Sequence, residues 1–139
     1  MEKRDYLLRQ IEALGRILSR LRALITGGAT AVAESQIRDE MRNAGLDLST
    51  ANALDPRTLL MLLGSPALDA RRAFTVGALL HMDALRARTQ GDESWAARST
   101  ASALALLQAT RPLLDAERLA LADEIIAEIK GAESRGQRS

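Results

Sequence analysis

The sequence predicts an all-α fold, on three observations. Apolar residues recur at helical spacing in each patterned segment, aromatic residues make up only 2% of the chain, and β-branched residues are sparse. A core so poor in rings must be built from Ala and Leu, which are good helix formers. At 139 residues, with 47% hydrophobic and 27% charged side chains, the composition is that of one globular domain. About six helices in a single domain over 1–130 are expected, followed by a polar, disordered tail at 131–139.

The first helix, within a segment 1–28, is the clearest element. Leu7, Ile11, Leu14, Leu18, Leu21 and Ile25 follow a 4-3-4-3-4 spacing, the a/d seam of a heptad pattern. Leu8, Ile17 and Leu24 widen that seam toward a bundle face, Asp5/Arg9 and Glu12/Arg16 form i,i+4 pairs, and Gly27-Gly28 ends the helix. A second helix is expected over 31–44, with Thr30 as N-cap, a stripe of Ala33, Ile37, Met41 and Ala44, and Gly45 as stop. Segment 46–54 reads as an irregular connection pinned by leucines. Asp55-Pro56 then opens a short helix, with Asp as cap and Pro at its first position. Leu59, Leu60, Leu62 and Leu63 make that helix apolar nearly all round, so burial is expected. Gly64-Ser65-Pro66 repeats the stop-and-start signal. A fourth helix over 67–89 turns at Gly91-Asp92 into a fifth over 92–110, which ends ahead of Pro112. The sixth starts on Asp115, runs to Lys130 with Leu119, Ala122, Ile126 and Ile129 on one face, and stops at Gly131.

Several kinds of chemistry are excluded or disfavoured. The chain has no cysteine, which removes disulfides, thiolate metal sites and a Cys nucleophile. A net charge of +1 gives no electrostatic case for nucleic acid or an anionic membrane. No export signal or apolar run of spanning length is present, so a cytoplasmic location is expected. The basic residues are Arg except Lys3 and Lys130, which together with the high Ala content suggests a GC-rich bacterial genome.

His81, the only histidine, lies with Phe74, Ala78 and Leu85 on an apolar face. It reads as a packed, hydrogen-bonded core-edge residue, with a general base or ligand as the other reading and with Asp83 on the same helix pointing elsewhere. One His without Cys cannot make a zinc site. Glu117, Asp123, Glu124 and Glu128 read as a solvated acidic face, and Glu124/Glu128 as a conceivable divalent-cation pair. Arg71, Arg72, Arg86, Arg88, Arg98 and Arg111 interleave with Asp69, Asp83, Asp92 and Glu93, which favours ordinary surface charge over an anion site. Trp95 reads as a large residue capping the hairpin, with an interface anchor as the other reading. No catalytic residue, cofactor or metal is expected.

The segment from Ala67 to Pro112 resembles a degenerate tetratricopeptide unit. Gly91-Asp92 supplies the interhelical turn, Ala84, Ala96 and Ala103 occupy positions where that family has small residues, and Leu80 one where it has a large residue. Thr100 and Ala87 replace aromatic residues of the family pattern, and Pro112 lies about one turn late. The resemblance implies a tetratricopeptide-like antiparallel bundle over 67–130 that engages a protein or peptide. The opening Asp5-Tyr6-Leu7-Leu8-Arg9-Gln10-Ile11-Glu12 with Leu14-Gly15 is similar to that of a group of small bacterial proteins with no assigned activity, which combine such a helix with a tetratricopeptide-like half.

The expected function is a non-catalytic helical scaffold or adaptor. The alternative is a regulator of a nucleic-acid process, using the excess of Lys3, Arg4, Arg9, Arg16, Arg20 and Arg22 over Glu2, Asp5 and Glu12. The N-terminal seam has two readings, packing on its own chain or pairing with another. Its apolar surface exceeds what a small Ala-rich body readily covers, so a homodimer through the first helix is expected.

Overall fold

The computed structural model describes residues 2–64 and 69–137, with side chains over 8–64 and 69–135. Ser65 and Pro66, two of the three residues of the expected stop-and-start signal, lie outside the described residues, as do 67–68, where the fourth helix was expected to begin. The fold is all-α. Seven α-helices are present among the described residues: α1 (Glu2–Thr26), α2 (Thr30–Asn43), α3 (Leu48–Ala53), α4 (Pro56–Leu62), α5 (Ala70–Thr89), α6 (Glu93–Thr110) and α7 (Ala116–Gln137). A 3-10 turn, Arg111–Leu113, carries Pro112 between the last two.

Aspartate caps order most of these starts. Asp47, Asp55, Asp69, Asp92 and Asp115 each accept a backbone N–H three residues on, at 2.9–3.1 Å, and so open every helix from α3 to α7. The first of these corrects the expectation for 46–54. Asp47 caps Thr50, and one and a half turns of helix form where an irregular connection was expected, which raises the count from six to seven. At α2 the expected cap is displaced. Ala29 occupies the N-cap position without a side-chain bond, and the Thr30 hydroxyl accepts from Gln90 Nε2 at 3.3 Å instead.

The core is organised around α5. Thirteen of its residues are buried, including every position from Val76 to Ala84, so it is the bundle's central helix rather than an amphipathic surface one. Its partner α6 returns antiparallel after a turn in which Gly91 takes φ +81°, with Asp92 N–H donating to the Ala87 carbonyl at 2.9 Å. Small residues let the two axes approach: Ala84, Ala87, Ala96 and Ala103 are fully buried. A Cβ added at Gly77 would lie 3.2–3.3 Å from Leu106 and Leu107. Helices α1, α2 and α7 cover the remaining faces of α5, and α3 and α4 lie on α6.

Three further expectations are revised. On α4, Leu59 and Leu63 are buried but Met61 and Leu62 are exposed, because the helix lies on the surface of α6 and has only one face to cover. On α7 the inward stripe is Arg118, Ala122, Ile125 and Ile129, with Leu119 and Ile126 at its edges. Nor does Gly131 end α7, which continues to Gln137. Gly131 adopts helical rather than left-handed backbone, and the Ala, Glu, Arg and Gln beyond it are good helix formers. The helix therefore runs into the segment where a disordered tail was expected.

Candidate functional site

The seam is core. Leu14, Leu18, Leu21 and Ile25 are buried within the single chain, Ile11 is partly buried against the same cluster, and the side chain of Leu7 lies outside the described residues. Helices α2, α5 and α7 supply the covering surface, so the apolar area of the seam gives no reason for a homodimer through α1. Of the arginines on α1, Arg9, Arg16 and Arg20 are exposed, and Arg22 is tied by two bonds to Glu128 at 2.9 and 3.0 Å.

Two seam residues instead form walls of clefts. Leu14 lines a cleft of about 510 Å³ between α1, α2, α5 and α7, within the size range of ligand sites. Leu18 lines a smaller one, about 280 Å³, between α1 and α7.

The larger cleft gathers Arg71 and Arg72 from the start of α5, Arg118 from the first turn of α7, and Asn43, Gly45 and Glu40 from the end of α2. Two of these arginines are anchored. Arg72 Nε donates to the Ala44 carbonyl at 2.6 Å, at the C-terminal end of α2, where a cation also meets the negative pole of the helix. Gly45 permits this on two counts. Its φ of +86° terminates the helix, and an added Cβ would lie 2.9 Å from the Arg72 guanidinium. Arg118 is almost wholly buried, and its Nη1 donates to Asp115 Oδ2 at 2.6 Å. Burial alone would raise the Asp115 carboxyl, but the Arg118 backbone N–H and guanidinium hold it below its ordinary range. Arg71 stands exposed, and Gln10 and Thr75 complete the polar lining.

The other sequence-singled residues go elsewhere. Asp83, read as one of the interleaved surface charges, is fully buried and is the hub of a polar network. Its Oδ1 accepts from Arg86 Nε and Nη2 at 3.1 and 2.6 Å, and its Oδ2 from Trp95 Nε1 and Ser99 Oγ at 2.6 and 3.0 Å. Ser99 in turn accepts from Asn52 on α3, and Asn52 accepts from Arg98. Trp95 thus closes the hairpin with both its ring and its N–H, flanked by Arg86 and Arg98 at 5.9 Å from its centroid. Arg86 is an interior residue, not surface charge. Arg88 bonds the Thr100 hydroxyl, and Arg111 pairs with Asp123.

His81 is buried, as expected, but its ring is not hydrogen-bonded: neither nitrogen has a partner within bonding geometry, and the nearest carboxylate, Glu128 Oε1 on α7, is 3.4 Å from Nε2. Burial pushes the imidazole pKa down against the opposing pull of Glu128. For Glu128 burial works upward, and Arg22 and His81 outweigh it and hold the carboxyl low. Glu128 is therefore bonded by Arg22 and lies beside His81 without a hydrogen bond to it, and Glu124 and Glu128 both line the smaller cleft. Among the described residues no group of three or more His, Asp and Glu side chains is placed to hold a metal ion, and no helix is long and apolar enough to cross a membrane.

Arg71 and Arg72 line the larger cleft rather than ordinary surface, and Arg118 joins them; the sequence signal for Arg118 is its place on the apolar face of α7, one residue from Leu119. No family model matches the chain, and no curated protein and no solved structure matches it.

Proposed function

We propose that the protein is a non-catalytic helical adaptor that holds a protein or peptide partner, and that the cleft between α1, α2, α5 and α7 is its binding surface. The observation that carries this reading is the preformed basic lining, with Arg72 and Arg118 fixed by a carbonyl and a carboxylate before any partner arrives. Fixed side chains lose little rotamer freedom on binding, which is where much of the cost of association lies. The polar groups around the cleft are guanidinium, amide and hydroxyl groups with a single carboxylate, Glu40, a set suited to recognition. The resemblance of the α5–α6 hairpin to a tetratricopeptide unit, with its Gly91 turn and buried Ala84, Ala96 and Ala103, supports the same class of function.

Affinity capture from the native host with wild-type and Arg71→Glu baits tests it. Arg71 is exposed, so the substitution leaves the core intact. A partner retained by the wild type and lost with the variant is the expected result. Equal retention by both baits would contradict the assignment of the cleft.

A further inference from the structure

The lining of the larger cleft carries three guanidinium groups, Arg71, Arg72 and Arg118, and one carboxylate, Glu40; with Arg118 paired to Asp115, Arg71 and Arg72 outweigh Glu40 and leave a net positive charge. The nearby Asp115 is already bonded to Arg118, and Asp69 to the backbone of α5. Arg71 makes no ion pair among the described residues. We propose that this cleft binds a phosphoryl group, carried as a single phosphate monoester on the ligand. The proposal rests on the reading of the cleft as the binding surface and names the chemistry recognised there.

The stoichiometry of donors and charge favours phosphate over carboxylate. A carboxylate carries one charge and is matched by one bidentate guanidinium, whereas a phosphate monoester carries about −1.5 to −2 and three strong acceptor oxygens. Arginines brought together from two helices can divide those oxygens between them. Arg72 and Arg118 are pre-oriented by their anchors, and exposed Arg71 is free to close over the ligand. Thr75 adds a hydroxyl donor and Asn43 an amide donor to the same lining. Glu40 sets the limit: its carboxylate repels a second phosphate, so a monoester is preferred to a polyphosphate. Leu14 and Ala44 form an apolar wall, and the volume of about 510 Å³ leaves room for the body that bears the phosphate.

The test is a titration of the full, 15N-labelled chain in phosphate-free buffer, followed by amide chemical shifts. The probes are a short phosphoserine peptide, its unphosphorylated form, glycerol 3-phosphate, pyrophosphate and acetate. Saturable shifts of Asn43, Gly45 and Thr75 are expected with the two monoesters. Affinity should fall about tenfold in Arg71→Gln and in Arg118→Lys, and stay unchanged in Arg20→Gln, which lies outside the cleft. Arg118→Lys keeps the charge and loses the fork, so its loss reports geometry rather than net charge. The tighter of the two monoesters identifies the source, a modified peptide or a small phosphate ester. An equal response to acetate, tighter binding of pyrophosphate, or no shift up to about 10 mM would each overturn the proposal. If it fails in any of these ways while Arg71→Glu still abolishes partner capture, the adaptor reading stands without the phosphoryl group.

Discussion

At the residue scale, Asp83 and His81 lie buried two residues apart on α5, and they behave differently because Asp83 is hydrogen-bonded and the His81 ring is not. Asp83 has four donor contacts from three residues, so its fully buried carboxylate is satisfied. Removing it leaves the Trp95 and Ser99 donors without an acceptor and the buried Arg86 with only Gln90 and the more distant Glu34, and Asp83→Ala is expected to cost about 3 kcal/mol in urea denaturation. It should also shift the emission of Trp95, the only tryptophan, because the indole N–H loses its acceptor. His81 is held neutral by burial, with Glu128 opposing and Arg22 and Arg88 reinforcing that preference. Its folded pKa is therefore below that of the unfolded chain, and the unfolded state binds the extra proton. Stability should then fall as pH drops below about 6.5, the unfolded value. Thermal unfolding across pH 5–7 should show this slope in the wild type and lose most of it in His81→Leu. The carboxylates with lowered pKa, Glu128, Asp115, Asp47, Asp55 and Asp123, contribute stability that is full above their unfolded values near 4 to 4.5 and is lost only as the pH falls below them, so they add little slope across pH 5–7. A slope that survives His81→Leu unchanged would contradict the assignment. The burial of His81 was legible from its wheel position beside Phe74 and Ala78. Asp83 was not, since a carboxylate two residues along a helix reads as wet until α6 brings Trp95 and Ser99 to it.

At the element scale, helix ends were the most legible feature, because their physics is local. Asp55-Pro56, Gly91-Asp92 and Asp115 act within three or four residues of themselves, and each marks a boundary observed in the fold. The departures come from context. Helix α3 is short enough to hide inside a polar connection, and Gly131 stops a helix only if the following chain adopts a left-handed turn. Two helical glycines show how context decides even a single methyl group. An added Cβ at Gly15 meets nothing within 4 Å, whereas at Gly77 it crowds Leu106 and Leu107. Gly15→Ala should therefore stabilise the protein by about 0.5–1 kcal/mol through helix propensity. Gly77→Ala should destabilise it by about 1–3 kcal/mol, since α5 and α6 must part to admit the methyl. Denaturant midpoints of the two variants should move in opposite directions.

At the scale of the whole molecule, the heptad pattern of α1 showed that an apolar face exists but not what covers it. That depends on where α2, α5 and α7 lie, which no local pattern encodes. The same holds for the cleft, whose lining comes from four helices and has no contiguous motif. Because the seam is interior, Leu21→Glu should bury an unpaired charge and unfold the chain at a cost of several kcal/mol, seen as lost far-ultraviolet helicity. Conversion of a dimer into a helical monomer, detected by sedimentation, would contradict this placement. The central claim is that a preformed cleft, built around Arg71, Arg72 and Arg118, is where this protein meets its partner. A photo-crosslinking residue placed in living cells at Asn43, on the cleft, and separately at Arg57, exposed on α4 away from it, tests that claim most directly. The account predicts a discrete crosslinked species from position 43 and none from position 57. The same species from both positions, or one from position 57 alone, would contradict it.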